Sequence, residues 1–303
     1  MKSRILFGAF ALAATLVVAG CASSTAPATT TKPPTSLPTM PMDTMPGTGS
    51  AASTTDPMTM ATDPMAGMDM GGSDSGTQGL TLQVASAGRV AGQPDTLAFK
   101  VIASDGSTLT RFQVEQTKLL HLILVRSDLT GFQHLHPTMT SDGRWAVPVT
   151  FPNGGTYRMV ADFVPVLGGT ATTRVALSTD LVVAGTGTDV ALPAPSTKAT
   201  VDGYTVQISG SLGTTAESAL TFTVVDSAGK PVKLEPYLGA FGHLVAFDSS
   251  DLAYTHIHPS SADQNNGSLT FTGQVAAAGL HRLFMQFSAA GIVHVAEFTV
   301  AAK

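Results

Sequence analysis

HLILVRSDLTGFQHLHP at 121–137 and HLVAFDSSDLAYTHIHP at 243–259 are one phrase written twice, 122 residues apart. The repetition extends outward on both sides. TLAFKVIASDG (96–106) matches ALTFTVVDSAG (219–229) at an offset of 123, and GTYRMVADF (155–163) matches GLHRLFMQF (279–287) at 124. An offset that drifts by one or two residues over so long a span marks a duplicated unit. A period near 120 residues means tandem domains, since solenoid repeats run to roughly 20–50 residues.

Each copy reads as a series of short strands. LTLQVAS, TLAFKVIA, HLILVRS, RWAVPVTF, TYRMVADF and RVALSTDLVV occupy the first. YTVQISG, ALTFTVVD, HLVAFD, SLTFTGQV, HRLFMQF and HVAEFTV occupy the second. Gly, Asp, Asn and Pro separate the runs, and neither copy carries an amphipathic helical period, which is the pattern of β-sandwiches. The fold expected is all-β: two tandem Ig-like or cupredoxin-like sandwiches, at 79–185 and 201–303, joined by a Pro- and Gly-containing linker at 186–200. Residues 21–78 hold no aromatic residue and are dominated by Ala, Thr, Ser, Pro, Gly, Asp and Met. Such a segment buries too little apolar surface to offset chain entropy and is expected to be a disordered tether.

Six of the eight histidines fall at matched places in the repeat: His121, His134 and His136, then His243, His256 and His258. His134 and His136 are two residues apart, so on a strand both leave the same face. If Ser127 opposes Phe132 across the turn, Val125 opposes His134 and Ile123 opposes His136. His121 then lies on that face one diagonal step further, about 7–8 Å away, near enough to share an ion. Pro137 ends the strand, which puts the pair at the sandwich rim, where an ion has access. Two readings stay open: three imidazoles around a metal ion, or buried histidines bonded to backbone carbonyls. Asp128 and Asp251, after the first strand of each phrase, either orient an imidazole or cap the turn through local hydrogen bonds. His281 and His294 have no histidine counterpart in the first copy and read as surface residues, while Arg158 and Arg282 match between copies.

Composition narrows the chemistry. Charged residues are 12% and the formal charge is −5, with no basic run to meet nucleic acid. Cys21 is the only cysteine, so disulfides, thiolate ligands and a thiol nucleophile beyond it are excluded. The ligands left for a metal are imidazole, carboxylate and thioether. Three neutral imidazoles suit copper, with zinc as the alternative. Eight of the twelve methionines fall between Met40 and Met70, and thioethers favour Cu(I).

At the N-terminus, Lys2 and Arg4 precede an uncharged stretch from Ile5 to Gly20. That is shorter than the roughly 20 residues of a membrane-spanning helix and has the plan of a secretory signal. The sequence Val18-Ala19-Gly20-Cys21 resembles the lipobox of bacterial lipoproteins. The resemblance implies cleavage after residue 20, lipid on Cys21, and a protein anchored to the extracytoplasmic face of the cell membrane.

The phrases HLILVRSDLTGFQHLHP with GTYRMVADFVP, and GKPVKLEPYLGAFGHLVAFDSSDLAYTHIHP with HRLFMQF, resemble a family of secreted actinobacterial proteins with tandem β domains and H-x-H-P motifs. That family is loosely associated with heavy metals, and the resemblance covers nearly all of 79–303. Its members usually carry an aromatic where His281 stands, so His281 is not carried over as a site. YtkA-like and CopC-like copper-related domains are a looser analogy.

Three functions follow as expectations. The first is a lipid-anchored copper-binding protein for buffering, resistance or delivery to a metallochaperone or other copper-handling partner, without catalysis. The second is a structural or interaction module whose histidines serve the fold. The third is a copper-dependent oxidase or a dismutase-like enzyme. GFQHLHP resembles the H-x-H of copper–zinc superoxide dismutases, but their disulfide and further ligands are missing. A blue-copper carrier is excluded because it needs a cysteine ligand.

Overall fold

Alternation decides which strands face water on one side. Trp145–Thr150 buries every second residue, whereas His121–Arg126 and Gly242–Asp248 are buried at every position. A strand buried throughout lies in a sheet covered on both faces. A computed structural model describes residues 78–303. The signal at 1–20, Cys21 and the Met-rich tether up to residue 77 lie outside the described residues.

The first half carries β1 (Thr81–Val84), β2 (Arg89–Val90), β3 (Pro94–Ile102), β4 (Phe112–Gln113) and β5 (His121–Arg126). It continues with β6 (Gln133–Leu135), β7 (Thr138–Met139), β8 (Trp145–Thr150), β9 (Gly155–Leu167), β10 (Thr170–Ala171) and β11 (Val175–Ala184). The second half carries β12 (Lys198–Val201), β13 (Tyr204–Gly210), β14 (Ser218–Val225), β15 (Gly242–Asp248) and β16 (Tyr254–Ile257). It ends with β17 (Pro259–Asp263), β18 (Ser268–Gly273), β19 (Gly279–Ala289) and β20 (Ile292–Ala302). The expected all-β tandem fold is what the chain adopts. β12 begins inside the stretch read as linker, because Lys198–Val201 pairs in register with Tyr204–Gln207 through the Asp202-Gly203 turn.

Each half is a sandwich of two sheets. In the first, β1-β3-β8-β7 faces β2-β11-β9-β5-β6, with β4 and β10 added on β9. In the second, β12-β13-β14-β18-β17 faces β16-β15-β19-β20. Leu122 and Leu124 point into the first core with Trp145 and Phe163, and Leu244 and Ala246 into the second with Phe222 and Phe271.

The other faces of β5 and β15 build a third cluster. Ile123, Val125, Leu129 and Val160 pack there against Val245, Phe247, Tyr254 and Phe284. Phe132 stacks on Phe284 with centroids 4.1 Å apart. The histidine-bearing sheets thus lie outer face against outer face, both within one compact unit of the chain. Matched residues meet reciprocally: Phe132 meets Phe284, while their counterparts Tyr254 and Val160 share the same cluster. This is the arrangement of an isologous dimer, made within one chain.

Candidate metal centre

The histidine register differs from the expected one by two residues. Ile123 pairs with His134 and Leu122 with Leu135, and in the second half Val245 pairs with His256. A shift of two keeps every side chain on its face, so the trio survives while its members move together. The cause is the turn. Arg126 N–H donates to Thr130 O at 2.8 Å, Leu129 takes φ 64°, and Gly131 also takes φ 64°. Asp128 accepts from the Thr130 N–H and hydroxyl and ion-pairs with Arg126. Asp251 accepts from the Ala253 N–H at 2.8 Å. Both aspartates therefore cap turns, and neither bonds to an imidazole.

The rim placement is also overturned. Sheet-on-sheet docking covers the histidines: His121 is 1% exposed, His134 9%, His243 0% and His256 2%. His136 and His258 are half-buried, at corners where the chain leaves β6 and β16 for the opposite sheet. His121, His134 and His136 offer nitrogens that all lie within 4.8 Å of one another. His121 Nδ1 is 3.0 Å from His134 Nε2 and 3.2 Å from His136 Nε2. The two trios adjoin, with ring centroids of His121 and His256 5.6 Å apart, and of His134 and His243 5.7 Å apart.

The remaining ring nitrogens fix the tautomers. His121 Nε2 donates to the Glu115 carbonyl at 3.2 Å, and His243 Nε2 to the Tyr237 carbonyl at 3.1 Å. These carbonyls stand at equivalent two-residue turns, Glu115 to Lys118 and Tyr237 to Ala240. His134 Nδ1 donates to Gln286 Oε1 at 2.6 Å, and His256 Nδ1 to Asp162 Oδ2 at 2.9 Å. Asp162 and Gln286 are repeat counterparts, so each half orients a histidine of the other. Since carbonyls and carboxylates only accept, the protons sit on those outer nitrogens. His121 Nδ1 thus faces inward as an acceptor, with His134 Nε2 at 3.0 Å and His136 Nε2 at 3.2 Å.

Burial, the largest cause in each case, holds all six imidazoles neutral, depressing His136 and His258 to about 3 and His243 to about 4. It lowers His121 and takes His134 and His256 well below their ordinary value. Burial alone would raise the Asp162 carboxyl. Arg174, whose Nη1 is 3.2 Å from both its oxygens, and the His256 N–H reverse this and hold it well below the carboxylate range. Tyr254 Oη, its phenol held protonated by burial, donates to Asp162 at 2.9 Å.

His281 and His294 are buried rather than exposed, at 2% and 5%. His281 Nε2 lies 3.5 Å from Asp248, and His294 Nδ1 bonds Asp202 at 2.8 Å while its ring packs between Tyr204 and Phe287. Neither joins the trios. Arg158 pairs with Asp180 and Arg282 with Glu297. The sequence reading missed Asp162 and Gln286. Their signal was a pair of polar residues at one repeat position inside otherwise apolar strands, VADF and FMQF.

Fold and duplication define a tandem Ig-like β-sandwich protein whose two copies face each other. The chain belongs to a family described as a domain of unknown function, DUF8832, matched at residues 75–180 and 199–303. None of the curated proteins matches it. Solved structures similar to it include the Escherichia coli adhesin FdeC, 18% identical over 74% of this chain and 64% of that one, with a TM-score of 0.25. Yersinia pseudotuberculosis InvD is 16% identical over 75% of this chain and 58% of that one, TM-score 0.23. The D00-D0 domain of intimin is 12% identical over 73% and 98%, TM-score 0.21. The chain spans less than two thirds of the length of FdeC and InvD.

Proposed function

We propose that this is an extracytoplasmic, lipid-anchored metal-binding protein that holds copper through its histidine trios, for buffering, resistance or delivery to a copper-handling partner. One observation carries the reading: one nitrogen each of His121, His134 and His136, all on neutral rings, converge to within 4.8 Å of one another. The 3.0 Å between His121 Nδ1 and His134 Nε2 is close to the roughly 3.3 Å between neighbouring nitrogens on a tetrahedral ion with bonds of about 2.0–2.1 Å. Imidazole suits copper and zinc, with copper favoured on affinity. The reading needs no catalytic step.

A structural reading has its own support, since His121 and His243 each bond a backbone carbonyl. It extends to hydrogen bonds among the nitrogens of the first trio and leaves His243 Nδ1, His256 Nε2 and His258 Nε2 without a role. The test uses protein recovered from cell membranes with detergent and titrated with Cu(I) and with Cu(II) at neutral pH. Recovery in the membrane fraction and dissociation constants of micromolar or tighter are expected. Recovery in the soluble fraction removes the anchor, and failure to bind either ion removes the metal function.

A further inference from the structure

The first trio's converging nitrogens are His121 Nδ1, His134 Nε2 and His136 Nε2. Their counterparts in the second half are His243 Nδ1, His256 Nε2 and His258 Nε2. Among the described residues, all three of those atoms are buried with no hydrogen-bond partner. A buried polar atom left unpaired costs about 1–3 kcal/mol. Three on neighbouring rings, at the positions that converge in the sister copy, constitute one unmet requirement. The tautomers again leave lone pairs on the inner side, because His243 Nε2 and His256 Nδ1 donate to Tyr237 O and Asp162.

We infer that the second trio binds an ion of its own, making the face between the halves a two-ion centre. This rests on the metal-binding reading above. Among the described residues only the first trio has its nitrogens all within 4.8 Å of one another. The centroids of His243 and His256 are 6.1 Å apart against 5.2 Å for His121 and His134, so an ion in the second trio has to draw its rings together.

The two ions are unequal because their supports are. His256 is backed by the Asp162 carboxylate and His134 by the Gln286 amide. A carboxylate behind a ligating imidazole fixes its orientation and makes it a stronger donor. Both supports come from the opposite half, so each ion also ties the halves together. The ligand set itself is uncharged, and Asp162 is already matched by Arg174. A buried charge with no counter-charge is costly, so the centre suits two monovalent Cu(I) ions better than two divalent ones.

The test compares Cu(I) bound per chain in the full protein and in His136→Gln, His258→Gln and the double variant, all confirmed folded by circular dichroism. These are the two half-buried histidines, so the changes disturb packing least. Methionine-bound copper contributes equally to all four and cancels. Each single variant is expected to hold one ion fewer than the wild type, and the double variant two fewer. Loss from His136→Gln with none from His258→Gln overturns the second ion and leaves the metal-binding reading standing. No loss from either overturns the second ion, and the Cu(I) titration of the wild type decides the metal-binding reading separately. A measurement free of variants follows the imidazole nitrogen NMR shifts of the wild-type chain as Cu(I) is added, a signal to which thioethers do not contribute. Shifts in both trios are expected, and shifts confined to His121, His134 and His136 overturn the inference.

Discussion

Asp162 joins the halves through single atoms. Its carboxylate accepts from Tyr254 and His256 of the second half and ion-pairs with Arg174 of the first. Asp162→Asn keeps the shape and removes the charge, which leaves the half-buried Arg174 with Glu115 as its remaining carboxylate. Breaking one side of a fully buried pair costs about 3–5 kcal/mol. With Glu115 still in place, urea denaturation of the metal-free protein is expected to show a smaller loss, about 1–3 kcal/mol. On the two-ion reading, the same change weakens the second trio's ion by about 10–100-fold and spares the first, as stepwise chelator competition would resolve. Equal weakening of both ions would mean that Asp162 acts only through stability. The six histidines were legible in the sequence because the repeat aligned them. Asp162 was not, because its partner His256 lies 94 residues away and Gln286 lies 152 residues from His134. Spacing within one copy carries no sign that the two copies exchange partners.

At the scale of elements, the turns that supply the fixing carbonyls differ in one informative way. Both need positive φ at two central residues, which Leu238 and Gly239 adopt at 54° and 79°, and Gln116 and Thr117 at 44° and 66°. Glycine takes this conformation freely, whereas a β-branched residue is strained there. Thr117 is exposed and makes no side-chain hydrogen bond among those described. Thr117→Gly is therefore expected to stabilise the protein by about 0.5–1 kcal/mol, seen as a rise of roughly 1–4 °C in Tm. A fall in Tm would show that the side chain contributes more than its backbone costs. The strands were readable because alternation and turn residues are local signals. The register of β5 on β6 was not, since it depends on Asp128 closing a tight turn with Leu129 and Gly131 at positive φ. The unalternating apolar runs LILV (122–125) and LVAF (244–247) did hold the evidence that their sheets are covered twice. Naming the covering surface required the tertiary structure.

For the whole molecule, the two copies meet face to face within one chain, and neutral imidazoles line that contact. Their charge state then governs whether the halves stay docked. A histidine in the unfolded chain titrates near 6.5, while His243 is depressed to about 4 and His136 and His258 to about 3, each first by burial. Between those values the unfolded chain binds more protons than the folded one, so stability rises with pH across the window. The contribution is complete above pH 6.5 and is lost as pH falls toward 4 and then 3. Each histidine adds a slope of at most about 1.4 kcal/mol per pH unit, less for the half-buried His136 and His258. Asp162, with its folded pKa also lowered, adds loss of the same sign below the ordinary carboxylate range. Thermal melts of the metal-free protein are expected to be level from pH 8 to 7 and to fall steeply between pH 6.5 and 4. Copper-loaded protein should hold its Tm to lower pH, because protons must then displace an ion to charge the same nitrogens. Metal-free melts that stay level down to pH 5 would mean the imidazoles charge without parting the halves. In that case the interface is not the pH-sensitive joint that its burial makes it.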